Sequence, residues 1–130
     1  SSDLDPFAVI VGGECIGSTS YLAEIPAQRQ VEIGWTYYAR AFWRTAVNTE
    51  CKLLLMSEAF EARNYDRVQF KTDIFNERSQ RAIERLGALR EGVLRHQQIR
   101  RDGSARDSVY YSVIGEEWPG VKAKLMAALG

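Results

Sequence analysis

The chain has no apolar stretch of the roughly 20 residues that a membrane-spanning helix requires. It has almost no histidine either: His96 is alone, with no cysteine or carboxylate at ligand spacing, which reads as a strand-surface residue and leaves no case for zinc or for a histidine base. Only two cysteines occur, Cys15 and Cys51, without the paired spacing of a metal site. Two thiols make no disulfide framework, so an intracellular, reducing compartment, the cytoplasm, is expected. Cys51 falls on an apolar helical stripe and reads as a small buried hydrophobe. Net charge is missing too, since 17 basic residues balance 17 acidic ones. No global field then points to nucleic acid or to an acidic membrane. The start, Ser-Ser-Asp-Leu-Asp-Pro, is acidic where a signal peptide is basic, and the apolar stretch Phe7–Val11 is too short for its core. Repeats, linkers and low-complexity segments are absent, so one domain is expected. The most informative absence is local: from Arg40 to Lys52 there is no glycine.

What that segment does contain is R-A-F-W-R-T-A-V-N-T-E-C-K, a short basic loop leading from a Tyr/Trp-rich strand into a strongly apolar helix. Free N–H groups at a helix start, with Arg40 and Arg44 beside them, suit a phosphate-bearing ligand. Thirteen of the basic residues are arginine, which keeps local anion sites available despite the zero net charge.

Periodicity places this junction in a chain of alternating elements. Phe7–Val11 and Cys15–Ala23, joined by Gly12-Gly13-Glu14, read as a hairpin. Gln30–Tyr38 alternates Val31, Ile33, Trp35 and Tyr37 with Glu32, Gly34, Thr36 and Tyr38, the pattern of a half-buried strand. From about Asn48 to Asn64 the spacing of Cys51, Leu54, Leu55, Ala59 and Ala62 predicts a helix packed on a sheet, with Asn64 as its stop and Glu50 in its first turn, where acid suits the macrodipole. Arg67–Asp73 alternates again, and Asn76–Leu86 with Gly87 behind it predicts a second helix. Ala88–Ile99, a turn at Arg101-Asp102-Gly103, and Arg106–Ile114 form a second hairpin, with Val109, Tyr111 and Val113 on one face. Trp118-Pro119 opens a last helix whose apolar side is Val121, Leu125, Met126 and Leu129.

Two polar residues stand out on the second helix. Asn76 is a good N-cap, while Ser79 shares a face with Ala82, Ile83 and Leu86 and needs a partner there, if only a carbonyl one turn back. The arginines at 90, 95, 100, 101 and 106 are interrupted by Glu91, Asp102 and Asp107 and read as a solvated hairpin.

The order of these elements resembles the GNAT superfamily of acyl-CoA-dependent N-acetyltransferases. The likeness is carried by V-E-I-G-W, W-R-T-A-V-N-T-E-C-K-L-L-L, R-V-Q-F-K-T-D-I-F-N-E-R-S-Q-R-A-I-E-R-L-G-A, E-G-V-L-R and V-Y-Y-S-V-I-G-E-E-W-P. The N-x-x-S-x-x-A-x-x-x-L-G run at Asn76–Gly87 is similar to the branch of ribosomal-protein Nα-acetyltransferases. The resemblance implies an α/β (α+β) fold with a central mixed, mostly antiparallel sheet and helices on both faces. Members of the family carry a first strand and one or two helices before such a hairpin, so it also implies an N-terminally short domain. Where the family shows R-x-x-G-x-G/A, this chain has Ala41, Thr45 and Ala46 near the glycine positions.

The activity implied is direct acetyl transfer from acetyl-CoA to a primary amine, a protein N-terminus or a small molecule, through a tetrahedral intermediate. The alternative is a GNAT-like domain that binds acyl-CoA or a protein without turnover, and a homodimer that completes the cleft is a third arrangement. On the family pattern, Glu32 accepts the amine proton and Ser79 protonates the thiolate, with Tyr110 and Tyr111 as lesser candidates for the acid. Asn76 bonds the pantetheine arm, which lies along Val31–Tyr38 as that strand splays from Arg67–Asp73. Ile33, Trp35 and Thr36 flank the arm, and Arg40, Phe42, Arg44, Thr45, Ala46 and Val47 receive the pyrophosphate. The only partner implied is the amine acceptor, with no nucleic acid, membrane or metal.

Overall fold

The computed structural model describes residues 4–11, 14–38 and 46–129. Three strands come first: β1 (Leu4–Val11), β2 (Glu14–Ile25) and β3 (Gln30–Tyr38). Helix α1 (Ala46–Ser57) follows and runs into a wider π-helical turn, Glu58–Ala62. Next come β4 (Arg67–Asp73), α2 (Glu77–Arg85), β5 (Leu89–Ile99), β6 (Ala105–Ile114) and α3 (Trp118–Leu129). The strands form one six-stranded sheet in the order β1-β2-β3-β4-β6-β5. Every pairing is antiparallel except β3 with β4, giving the expected mixed, mostly antiparallel sheet.

The termini of the elements follow local chemistry. Asn64 adopts φ 58° and stops the first helical segment, because asparagine tolerates the left-handed region that most residues avoid. Asn76 caps α2, accepting from the Ser79 amide at 3.0 Å, and Gly87 takes φ 98° just past the other end. In the β5–β6 turn Gly103 has φ 91° and donates to the Arg100 carbonyl at 2.9 Å.

Among the described residues, one cluster of buried apolar side chains joins the sheet to the helices. Val109, Tyr111 and Val113, expected on one face of β6, are fully buried alongside Val68 and Phe70 of β4. Sheet tyrosines tie the layers together: the Tyr21 hydroxyl donates to the Leu55 carbonyl of α1, and the Tyr111 hydroxyl to Glu84 of α2 at 2.8 Å. Burial raises the Tyr111 phenol to about 12, with the Glu84 bond adding to it. Phe60 stacks on Trp118 with centroids 5.2 Å apart and fixes α3 against the first helix.

Three expectations need correction. The buried stripe of α1 is Lys52, Leu55, Met56, Ala59 and Phe60, whereas Leu54 is 63% exposed and Ala62 lies in the open. Four consecutive apolar residues, Leu53–Met56, fit either stripe, and the packing selects the one a residue further on. Cys51 is consequently only half-buried. Glu50 falls in the second turn of α1, which starts at Ala46, too deep to serve the helix N-terminus. On α3 the buried row is Trp118, Val121 and Leu125, while Met126 stays largely exposed.

Candidate active site

The site starts from a conflict of pairing. Strand β3 stays bonded to β2 out to Tyr38↔Gly17, and β4 stays bonded to β6 out to Asp73↔Ser108. Between them, parallel pairing lasts for three residues only, Gln30↔Arg67, Val31↔Val68 and Glu32↔Gln69. From Ile33 onward the two strands part, as expected, and the facing N–H and C=O groups of Ile33–Tyr38 and Phe70–Asp73 are not bonded to each other. Such unpaired edges accept an extended ligand as a strand accepts a neighbour. The two diverging strands lead toward two helix starts, that of α1 at Ala46 and that of α2 at Glu77.

Glu32 occupies the last paired position before the strands part, and it is only 4% exposed. Its carboxylate is held from β4: Gln69 Nε2 donates to Oε1 at 2.8 Å, and Lys71 Nζ stands 3.7 Å from Oε2. Tyr110 lies across from Lys71 on β6, its phenol raised first by burial and then by the charge of Glu32. A buried carboxylate with an amide donor and a half-buried lysine beside it is oriented and adjacent to the opening.

Asn76 and Ser79 meet at the far end of β4. Asp73, four positions on from Gln69, stands about 13 Å along the strand from the Glu32 level, and the chain turns there into α2. The cap bond brings Asn76 and Ser79 together. Asn76 uses only Oδ1 for its cap, and among the described residues its NH₂ group makes no hydrogen bond. Nor does the half-buried Ser79 hydroxyl, which does not bond back to the helix. Both groups are available to a ligand. Ile33 is 3% exposed, its side chain committed to the core, which leaves its backbone for the opening. Trp35 and Thr36 continue β3 beyond its last pair with β4, and Ala46 and Val47 form the first turn of α1. Arg40, Phe42, Arg44 and Thr45 lie outside the described residues.

The structure adds residues that pattern reading passes over. Gln69 and Lys71 enter the site only through register, because Glu32↔Gln69 sets them beside the carboxylate. Arg100 corrects the reading of a solvated hairpin. Its guanidinium binds Asp73 through two bonds, Nε to Oδ2 at 2.7 Å and Nη2 to Oδ1 at 2.8 Å, and it lies 4.7 Å above the Phe75 ring. That pairing holds the Asp73 carboxyl down at about 2. His96, by contrast, is exposed on β5 in a bulge, with φ 52° and its amide donating to Asp107 Oδ1 at 2.8 Å. An open hollow of about 580 Å³ lies there, lined by Val93, Leu94, Arg95, His96 and Asp107. None of the parting strands' unpaired groups line it, so the hollow is separate from the opening between β3 and β4.

Comparison with known proteins agrees with this geometry. Residues 1–89, more than half of the chain, match the "Acetyltransferase (GNAT) domain" family. The curated "Putative ribosomal N-acetyltransferase YdaF" of Bacillus subtilis is 35% identical over 94 residues, which cover 72% of this chain and 50% of that protein. A solved "putative acetyltransferase" from T. thermophilus is 50% identical, with a TM-score of 0.91, covering 96% of this chain and 66% of that one. Mycobacterium smegmatis RimJ, solved in complex with CoA-disulfide, shares the fold at a TM-score of 0.85 and 23% identity, covering 97% of this chain and 60% of its own. The chain therefore spans about half the length of the curated relatives it matches. The parting strands, the two helix starts beyond them and the match over residues 1–89 lead to one assignment: the chain belongs to the GNAT acetyltransferase family.

Proposed function

We propose that this chain is a single GNAT domain that uses acetyl-CoA to acetylate a primary amine, a protein N-terminus or a small molecule, in the cytoplasm. The observation that carries the reading is the opening between β3 and β4, with the buried Glu32 carboxylate at its closed end. Family membership supports it, as do the acetyltransferase names of the relatives and the CoA adduct bound by the RimJ structure. The residues present fit acetyl-CoA: unpaired strand edges for an extended arm, a free Asn76 amide, a free Ser79 hydroxyl and helix starts for phosphate.

When bound, the thioester supplies an activated acyl carbon and a sulfur leaving group. The chain's own residues do the rest. Glu32, steadied by Gln69 and Lys71, takes the proton that the acceptor ammonium must lose. With acetyl-CoA bound, the Ser79 hydroxyl would supply a proton to the thiolate, and the Asn76 side-chain NH₂ would hold the pantetheine arm. Backbone groups of Ile33, Trp35 and Thr36 align that arm. The amides of Ala46 and Val47, together with Arg40, Phe42, Arg44 and Thr45, would hold the pyrophosphate.

Titration calorimetry with CoA, followed by thiol release from acetyl-CoA across a panel of amines, tests the proposal. Binding plus release with at least one amine is expected. Binding with no release from any amine supports the non-catalytic reading instead, and absence of binding refutes the cofactor assignment. Sedimentation of the same sample asks whether a second copy of the chain completes the cleft.

A further inference from the structure

We infer that Arg100 is a positioning residue for the cofactor end of the opening: from the β5–β6 turn it grips Asp73 and so fixes where Asn76 and Ser79 stand. The inference rests on the acetyl-CoA reading above. Only three residues, Ile74, Phe75 and Asn76, connect β4 to α2. Their placement decides where the free Asn76 side-chain NH₂ group and the Ser79 hydroxyl point. The Asp73 carboxylate organises the connection from its start, accepting from the Phe75 amide at 3.0 Å as well as from Arg100. The Asp73 carbonyl accepts from the Asn76 amide at 2.9 Å, and Ile74 donates to the Asp107 carbonyl of β6 at 3.0 Å. Gln80, one turn into α2, donates back to the carbonyls of Asp73 and Ile74 at 3.2 and 2.9 Å.

Arg100 anchors this assembly to a second rigid element. Its Nη1 donates to the Ala105 carbonyl at 2.7 Å and to Ser104 Oγ at 3.2 Å, and its own backbone closes the turn with Ser104 and Gly103. All three guanidinium nitrogens are used, and one face of the group covers the Phe75 ring. Phe75 is 77% exposed, so the core does not hold it in place. A planar fork can make the two parallel bonds to Asp73, whereas an ammonium at the same site makes one. The hairpin thus acts as a brace for the first turn of α2, where a displacement of about 1 Å in a ligand-positioning group costs up to ~100-fold in rate.

The test uses the whole chain and three variants, Arg100→Ala, Arg100→Lys and Val113→Ala. Val113 is fully buried and pairs with Val68 near the closed end, so its truncation lowers stability without touching the brace. For Arg100→Ala, CoA affinity by calorimetry is expected to fall on the order of ten-fold, with the KM for acetyl-CoA rising in step and the acceptor KM unchanged. Arg100→Lys is expected to fall between Arg100→Ala and wild type, and Val113→Ala to bind CoA as wild type does despite a lower Tm. Unchanged CoA affinity in Arg100→Ala overturns the inference while leaving the cofactor reading intact. An equal loss in Val113→Ala also overturns it, since general loosening then explains the effect. A wild-type chain that takes no CoA overturns the cofactor reading, and this inference with it.

Discussion

Replacing Asp73 by Asn isolates the charge of the brace without changing its shape. In the folded chain the Asp73 carboxyl sits at about 2, against an ordinary 3.8, chiefly because Arg100 bonds to its ionised form. At about 1.4 kcal/mol per pKa unit this difference approaches 2.5 kcal/mol, and with a side chain 22% exposed, solvent screening trims the figure to ~2 kcal/mol. Bond counting gives a similar size. An asparagine keeps the acceptor for Phe75 but turns NH₂ toward the guanidinium, so about one charge-assisted bond of ~1.5–3 kcal/mol is lost. The sign follows from linkage: a depressed carboxyl stabilises the fold above its unfolded value near 3.8, and that contribution fades as pH falls toward 2. Urea unfolding near pH 7 should therefore shift the midpoint of Asp73→Asn down by on the order of 1 M. By about pH 3 the gap between wild type and variant should have roughly halved. A gap below about 0.5 kcal/mol at neutral pH, or one that stays constant down to about pH 3, refutes the account of the pair as a stabilising charge contact.

For the chemistry, Glu32→Gln keeps the shape and one acceptor for Gln69, so thiol release should fall about 10²- to 10⁴-fold while CoA affinity holds; undiminished turnover removes Glu32 from the mechanism. Burial lowers Lys52 to about 8 from 10.5, so the folded chain binds fewer protons than the unfolded one between those values and wild-type stability should rise with pH across that window. Lys52→Met should lack this rise in urea titrations, and parallel pH profiles for the two proteins would count against it. Gly87→Ala places a Cβ at φ 98°, 3.4 Å from Val121 Cγ2, where space is ordinary but the backbone is strained; a loss of about 1–2 kcal/mol is expected by thermal unfolding. A neutral result there would mean that the helix end relaxes.

Much of the fold is legible because strands and helices announce themselves by period. Alternation alone bounds Gln30–Tyr38 and Arg67–Asp73 correctly, and Asn64, Asn76 and Gly87 stop or cap their helices through backbone and side-chain preferences that a sequence displays directly. Where the pattern is degenerate it misleads. Leu53–Met56 offers four apolar residues in a row, and only contact with the sheet and α3 decides that Leu55 and Met56 turn inward while Leu54 faces water. The arginines of the second hairpin are indistinguishable in sequence, yet Arg100 alone reaches across 27 positions to Asp73.

The site divides along the same line. Glu32, Asn76 and Ser79 can be named because a helix cap and a polar residue on an inward face are local signals, and because family likeness gives them roles. Gln69 and Lys71 carry no such signal. They matter through one parallel register, Glu32↔Gln69, that relates segments 37 residues apart, and no local period encodes it. The opening has the same origin. Gly34 and a register shift of β3 against β2 between Gly34 and Tyr37 lie just past the parting, but what holds the strands apart is that each remains bonded to a different antiparallel neighbour, β2 to one side and β6 to the other. A cleft made by divided pairing persists as long as those two hairpin-like edges hold. This explains why the polar groups that tie β4 to β6 and its turn, Asp73 and Arg100 foremost, bear on the site although neither is a candidate ligand.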